Sequence, residues 1–148
     1  MTDPELVSLD AIRQFFVQGI PFNRHMGLVV EVLERGRMVI RLPFKPEFVG
    51  DPTRPALHGG VLSMLADTVG GGAVFSLTRP GDRLATIDLR VDYLLPGRPE
   101  EVVAEAKVIR IGNRVGVSSV ELTQGAPAEV IAVAMGVYTI RRNKGAKP

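Results

Sequence analysis

Two features of this chain could do chemistry together. The first is His58-Gly59-Gly60, which follows a proline-rich stretch and opens a segment with helical apolar periodicity. The leading backbone N–H groups of a helix lack internal partners and point outward, and glycine there lets a ligand approach the backbone closely. Such an end suits a carbonyl oxygen that becomes negative during acyl transfer; the alternative is a helix cap built from small residues. The second is Asp67, set beside Leu65, Ala66 and Val69 in the same segment. Aspartate is a poor helix-interior residue, and its charge is costly to bury unpaired. An acid kept there is a candidate site group, unless it lies on an exposed polar face. Ser63 and Thr68 are nearby hydroxyls, but no base stands at a useful spacing, so a serine triad is not supported.

Helix geometry constrains how the two features cooperate. Gly60 and Asp67 are seven residues apart and share a face, yet they are separated by about 10 Å along the axis. One carbonyl cannot be held at the first and attacked from the second. A site using both takes the acid from a second, antiparallel copy of the helix, and a two-fold dimer then carries two equivalent sites.

The elements that must position these groups are readable from periodicity. Thr2 and Glu5 have capping-box spacing, and Leu6, Leu9, Ile12 and Phe16 follow on one face of a first helix ending near Gly19. Ile20-Pro21-Phe22 reads as a turn, with His25 just beyond it as a turn residue. Strands are expected over 28–34 and 38–42 with Gly36 between them, then an irregular loop over 43–57 holding four prolines. A helix is expected over 58–77, with Val61, Leu62, Leu65, Val69 and Ala73 as its apolar stripe. Gly70-Gly71-Gly72 costs such a helix about 1 kcal/mol per glycine, which points to close approach to a sheet or a partner helix, or else to a break at Gly70.

Four strand signals complete the chain, at 86–94, 102–108, 115–122 and 130–140. In the first, Ile87, Leu89, Val91 and Tyr93 alternate with Thr86, Asp88, Arg90 and Asp92. The last is apolar on both faces, as expected of a doubly covered strand. Hairpin-length turns make the sheet antiparallel, and it is the surface available to bury the helix. The fold class is therefore α+β: one long central helix wrapped by a curved antiparallel sheet, the hotdog architecture, with an extra N-terminal helix.

Composition narrows the class further. The 148 residues suit one domain, 1–148, with 141–148 expected as a flexible basic tail. Cysteine is absent, which excludes disulfides, thiolate nucleophiles and Cys-ligated metals. Two distant histidines make a metal site unexpected. Neither a signal peptide nor a spanning run is visible, so a cytoplasmic protein without membrane association is expected. A net charge of +2 and 5% aromatic residues do not make a nucleic-acid surface.

His58-Gly59-Gly60 with Asp67 nine residues after the histidine resembles the PaaI-type (phenylacetate-pathway) acyl-CoA thioesterases of the hotdog superfamily. The resemblance runs from Pro21-Phe22 to Ile140. It takes in Gly27, the 86–93 strand, Pro96-Gly97, and Arg110-Ile111-Gly112-Asn113-Arg114. It implies Asp67 as nucleophile or general base, a backbone N–H at Gly59 or Gly60 polarising the thioester oxygen, His58 supporting the loop or contacting the thioester, and Thr86 placing water or the acid. Asp51 stands where relatives commonly have asparagine. Arg110 and Arg114, with Gly112 and Asn113 between them, are the implied contacts for coenzyme A along a subunit interface. The resemblance thus implies acyl-CoA hydrolysis by a homodimer, expected to pair into a dimer of dimers, with no cofactor beyond the coenzyme A of the substrate. The rival readings are a hotdog hydratase or dehydratase acting on an enoyl-CoA, and a non-catalytic acyl-CoA-binding module.

Overall fold

The structure, a computed structural model of the single chain, describes residues 6–145. The capping-box pair Thr2 and Glu5 lies outside the described residues. Helix α1 spans Leu9–Gln14 and is capped instead by Ser8, whose hydroxyl accepts the Ala11 N–H at 3.1 Å. A π-helical turn, Phe15–Gly19, extends it to the expected end. The following residues differ from the expected turn: Pro21–Met26 is a second short helix, α2. Proline there occupies the first turn, where its missing N–H is harmless. Gly27 ends the helix at φ +77°, a left-handed conformation that favours glycine. His25 accordingly lies in the last turn of α2.

Strands β1 (Val29–Glu34) and β2 (Arg37–Leu42) form a hairpin through Gly36. The proline-rich loop is more ordered than expected, with a 3-10 turn at Pro46–Phe48 and two short paired strands, β3 (Val49–Asp51) and β4 (Ala56–Leu57). Helix α3 runs Gly59–Phe75 without a break. Strands β5 (Arg83–Tyr93), β6 (Val102–Ile111), β7 (Val115–Gln124) and β8 (Glu129–Arg141) complete a six-stranded antiparallel sheet ordered β1-β2-β6-β7-β8-β5. The fold is the expected hotdog arrangement. Among the described residues no helix is long and apolar enough to cross a membrane.

The sheet wraps α3. Leu62, Leu65, Ala66, Val69, Ala73 and Val74 are all buried against it, each large aliphatic contributing roughly 1.5–3 kcal/mol. The glycine run is explained by this packing. A Cβ on Gly70 would lie 2.5 Å from Tyr138 Oη and 2.8 Å from Ser118 Oγ, and one on Gly72 would collide with Met38 Sδ. Three missing side chains thus let the sheet's buried residues close onto the helix. Gly70→Ala is expected to destabilise the protein by about 1–3 kcal/mol through overpacking, read as a lower midpoint in urea; an unchanged midpoint would show the contact yields freely.

Two expectations about the strands are corrected. In β5 the register skips Ile87, because Thr86 pairs with Tyr138 and Asp88 with Val137. This β-bulge re-aims the strand, leaving Ile87 58% exposed and placing Thr86 on the same, helix-facing side as Leu84, Leu89 and Val91. In β8 only one face is covered within the chain: Ala132, Ala134, Gly136 and Tyr138 are buried, whereas Met135 on the other face is exposed. Two residues of the segment expected as a flexible basic tail are held in the fold. Arg141 ends β8, and Arg142 reaches back to the Asp82 carboxylate at 2.7 Å and to the carbonyls of Asn113 and Gly112. Asp82 is buried, which alone would raise its pKa. The N–H groups of Arg79 and Asn143 and the Arg142 guanidinium outweigh that and hold it below the usual carboxylate range.

Candidate active site

The start of α3 is held from three sides. Leu57 N–H donates to Gly97 O and His58 N–H to Phe48 O, at 2.9 and 2.8 Å. His58 is the N-cap, and its Nδ1 accepts the Gly60 N–H at 2.8 Å. That bond puts the imidazole proton on Nε2. The Val61 N–H donates to His58 O at 3.0 Å. Of the two amides the sequence offers as oxyanion donors, Gly60's is therefore engaged by the cap. Gly59's N–H has no acceptor among the described residues. Removing the cap with His58→Ala is expected to cost about 1 kcal/mol of stability, whereas His58→Asn keeps an acceptor and most of that stability. Equal melting temperatures for the two variants would contradict the capping role.

Tyr93, which sequence reasoning passes over, completes this end. Its hydroxyl donates to Gly59 O at 3.0 Å and is in hydrogen-bond contact with the Ser63 hydroxyl. Its place on the apolar side at the end of β5 is the available signal. An antiparallel sheet wrapped on α3 brings that strand end to the helix start.

Asp67 lies two turns further along α3, half-buried. The bulge at Ile87 brings Thr86 Oγ1 to it, donating to Asp67 Oδ1 at 2.8 Å. From β8, Tyr138 donates its hydroxyl to the Asp67 backbone carbonyl at 3.0 Å. Burial, and then the Asp67 carboxylate, push the Tyr138 hydroxyl well above its ordinary pKa, so the phenol stays a donor. Beside Asp67 and Thr86 opens a cavity of about 530 Å³, walled by Phe15, Phe16, Ile20, Phe75 and Leu84. A pocket of this size and lining suits a small-molecule ligand.

The other sequence candidates are placed as follows. Asp51 closes a local turn: its Oδ1 accepts from Thr53 Oγ1 (2.6 Å), Thr53 N–H (2.9 Å) and Arg54 N–H (3.3 Å). The Thr53 hydroxyl first, then the two N–H groups, hold its pKa below the usual value. None of these bonds links it to Asp67. Gly112, Asn113 and Arg114 form the β6–β7 turn, with Arg110 near the end of β6; Gly112 N–H donates to Val115 O at 2.8 Å. Arg142 ties that turn to Asp82, which lines the cavity. Arg110 and Arg114 are exposed and have no ionic partner among the described residues. Thr68 Oγ1 contacts Met64 Sδ at 3.8 Å and makes no bond to Asp67.

The single chain thus holds two separate groups of candidate residues: Asp67 with Thr86, and the Gly59 amide with His58 and Tyr93. Eight residues of helix separate Asp67 from Gly59, about 12 Å of axis.

Known proteins resemble this chain in sequence and shape. The family profile "Thioesterase superfamily" matches residues 55–131. The medium/long-chain acyl-CoA thioesterase YigI of Escherichia coli K12 is 35% identical over 128 residues, 78% of this chain and 83% of YigI. A crystal structure of a Shewanella oneidensis protein related to the thioesterase superfamily superposes with a TM-score of 0.77 at 32% identity, covering 88% of this chain and 94% of that one. A thioesterase family protein of Silicibacter pomeroyi reaches a TM-score of 0.84 at 20% identity, over 92% of this chain and all of that one; at that identity it speaks for the fold alone.

Proposed function

The chain belongs to the thioesterase superfamily and is a thioester hydrolase, and from that premise we propose that it cleaves acyl-CoA at a site shared between two copies. The observation that carries the reading is the Thr86–Asp67 hydrogen bond at the mouth of an apolar cavity, with an uncommitted Gly59 amide too far along the same helix to serve the same carbonyl.

In this mechanism the thioester carbonyl sits over the start of α3 in one copy, its oxygen on the Gly59 N–H. Asp67 of the other copy takes a proton from water, and the water oxygen bonds to the carbonyl carbon. The Thr86 hydroxyl fixes one carboxylate oxygen and leaves the second for that water. The tetrahedral oxyanion then collapses, the C–S bond breaks, and the coenzyme A sulfur leaves as thiol with the proton that Asp67 held. The products are the free acid and coenzyme A. A direct attack by Asp67 would instead form an anhydride. Single-turnover hydrolysis in ¹⁸O-water separates the routes, since only the anhydride route lets label appear in the Asp67 carboxylate.

Support for the shared site comes from the sheet edge. Among the described residues β5 pairs only with β8, so its eleven residues of strand present an edge without a described partner that a second copy can extend. Thr86 and Tyr93 are exposed on this strand in the single chain, and edge pairing would bring both groups together across the two-fold axis. The open outer face around Met135 is the surface through which such dimers would pair again. Arg110 and Arg114, exposed beside the β6–β7 turn, are the contacts we assign to the phosphates of coenzyme A. The direct test is thiol release from acyl-CoA. Hydration of an enoyl-CoA without thiol release would overturn the reading.

A further inference from the structure

The cavity beside Asp67 has dimensions that cleavage itself does not require. We propose that it receives the acyl chain of the substrate, and that Phe15 and Phe75 at its far end read chain length. This rests on the acyl-CoA hydrolase reading above and deepens it to a class: saturated chains of about eight to ten carbons, on the lengths that follow.

The two long walls agree on a length. Helix α3 contributes Asp67, Thr68, Gly71 and Phe75, nine residues whose eight steps span about 12 Å. β5 contributes Thr86, Leu84 and Arg83, about 10 Å of strand. Asp67 and Thr86 mark the reacting end. At the other end Phe75 packs against Phe15 and Phe16, with ring centroids 6.0 and 6.1 Å apart. An extended alkyl chain with C–C bonds of about 1.5 Å advances about 1.25 Å per bond, so 10–12 Å accommodates about eight to ten carbons.

The lane between the ends is kept open and apolar. Gly71 lies midway, and a Cβ there would already sit 3.2 Å from the Tyr138 ring and 3.7 Å from Leu84 Cδ2; a longer side chain would cross the gap between helix and strand. Two of the polar groups at the rim, Asp82 and Asn23, are committed elsewhere. The Asp82 carboxylate is held by Arg142 and two backbone N–H groups, and Asn23 Nδ2 donates to Phe16 O at 3.0 Å. What the cavity offers a ligand is therefore mostly hydrocarbon. Its third wall comes from the π-helical turn that carries Phe15 and Phe16, so the N-terminal helix is part of the specificity apparatus.

The test is kcat/KM for saturated acyl-CoAs from butanoyl to hexadecanoyl, followed by thiol release. For the wild-type chain we expect a rise of about fourfold per methylene up to octanoyl or decanoyl, then a plateau or fall. Phe15→Ala should lower the decanoyl-to-butanoyl ratio about tenfold, the worth of part of an aromatic contact, and move the optimum to longer chains. Phe75→Leu should do the same less strongly, and it carries the test should Phe15→Ala not melt cooperatively. An active wild-type enzyme with a flat chain-length profile, or variants that keep the wild-type profile, would overturn the cavity assignment while leaving the hydrolase reading standing. Absence of thiol release from every acyl-CoA would overturn both.

Discussion

Asp67→Asn is expected to lower kcat by about 10³-fold or more, with the melting temperature within a few degrees of wild type. The size follows from the role: a positioned general base is worth about 10²–10⁴, and asparagine cannot take the proton from water. The fold should tolerate the change, since the introduced amide oxygen keeps the shape of Asp67 Oδ1 and can still accept from Thr86 Oγ1, which lies 2.8 Å from the carboxylate oxygen. The Tyr138 hydroxyl binds the backbone carbonyl at this position, which the substitution does not alter. Substrate affinity should change little, because the carboxylate acts on water rather than on the acyl-CoA. Steady-state kinetics beside a thermal melt checks all three statements. Turnover within tenfold of wild type would remove Asp67 from the chemistry.

Much of this site is legible in the sequence, and the parts that are not share a physical cause. Asp67 stands out because an acid among apolar helix residues conflicts with local preference, and conflicts of that kind mark candidate functional positions. The glycine run over 70–72 announces close packing for the same reason, and the structure supplies Tyr138, Ser118 and Met38 as the neighbours. Thr86 is different. Its alternation with Ile87 and Leu89 places it on the face away from the helix, and only the bulge at Ile87 turns it toward Asp67. A bulge is a property of pairing with β8, so nothing within β5 alone encodes it. The choice between Gly59 and Gly60 is hidden likewise, since it depends on which amide the His58 ring reaches. Tyr93 reads as one more apolar strand residue because its hydroxyl partner, Gly59 O, is 34 positions away. Sequence periodicity therefore decides the long elements but not the short helix α2 or the β3–β4 pair; the hydrogen bonds that aim individual side chains depend on register and on contacts remote in the chain.

Gly59→Pro tests the other half of the site, and mixing it with Asp67→Asn tests the sharing. Proline deletes the N–H assigned to the oxyanion, and losing one such donor costs about 10²–10³ in kcat. Few positions admit the change so readily. Gly59 is the first residue of α3, where proline is favoured. The preceding His58 is extended at φ −61° and ψ 131°, as a residue before proline must be. A Cβ at Gly59 meets the Tyr93 ring at an ordinary 3.5 Å. The variant should therefore fold, keep its melting temperature within a few degrees, and turn over slowly. The two dead variants, unfolded together and refolded as a mixture, form hetero-dimers in which one site has lost both groups and the other has lost neither. With random pairing half the dimers are mixed, so activity should recover to about a quarter of wild type, as two equivalent sites on a two-fold axis demand. A site contained within one chain would give no recovery, because each chain would still lack one of its own groups. That outcome would leave Asp67 and Gly59 about 12 Å apart on one helix with no geometry by which both could act on the same carbonyl.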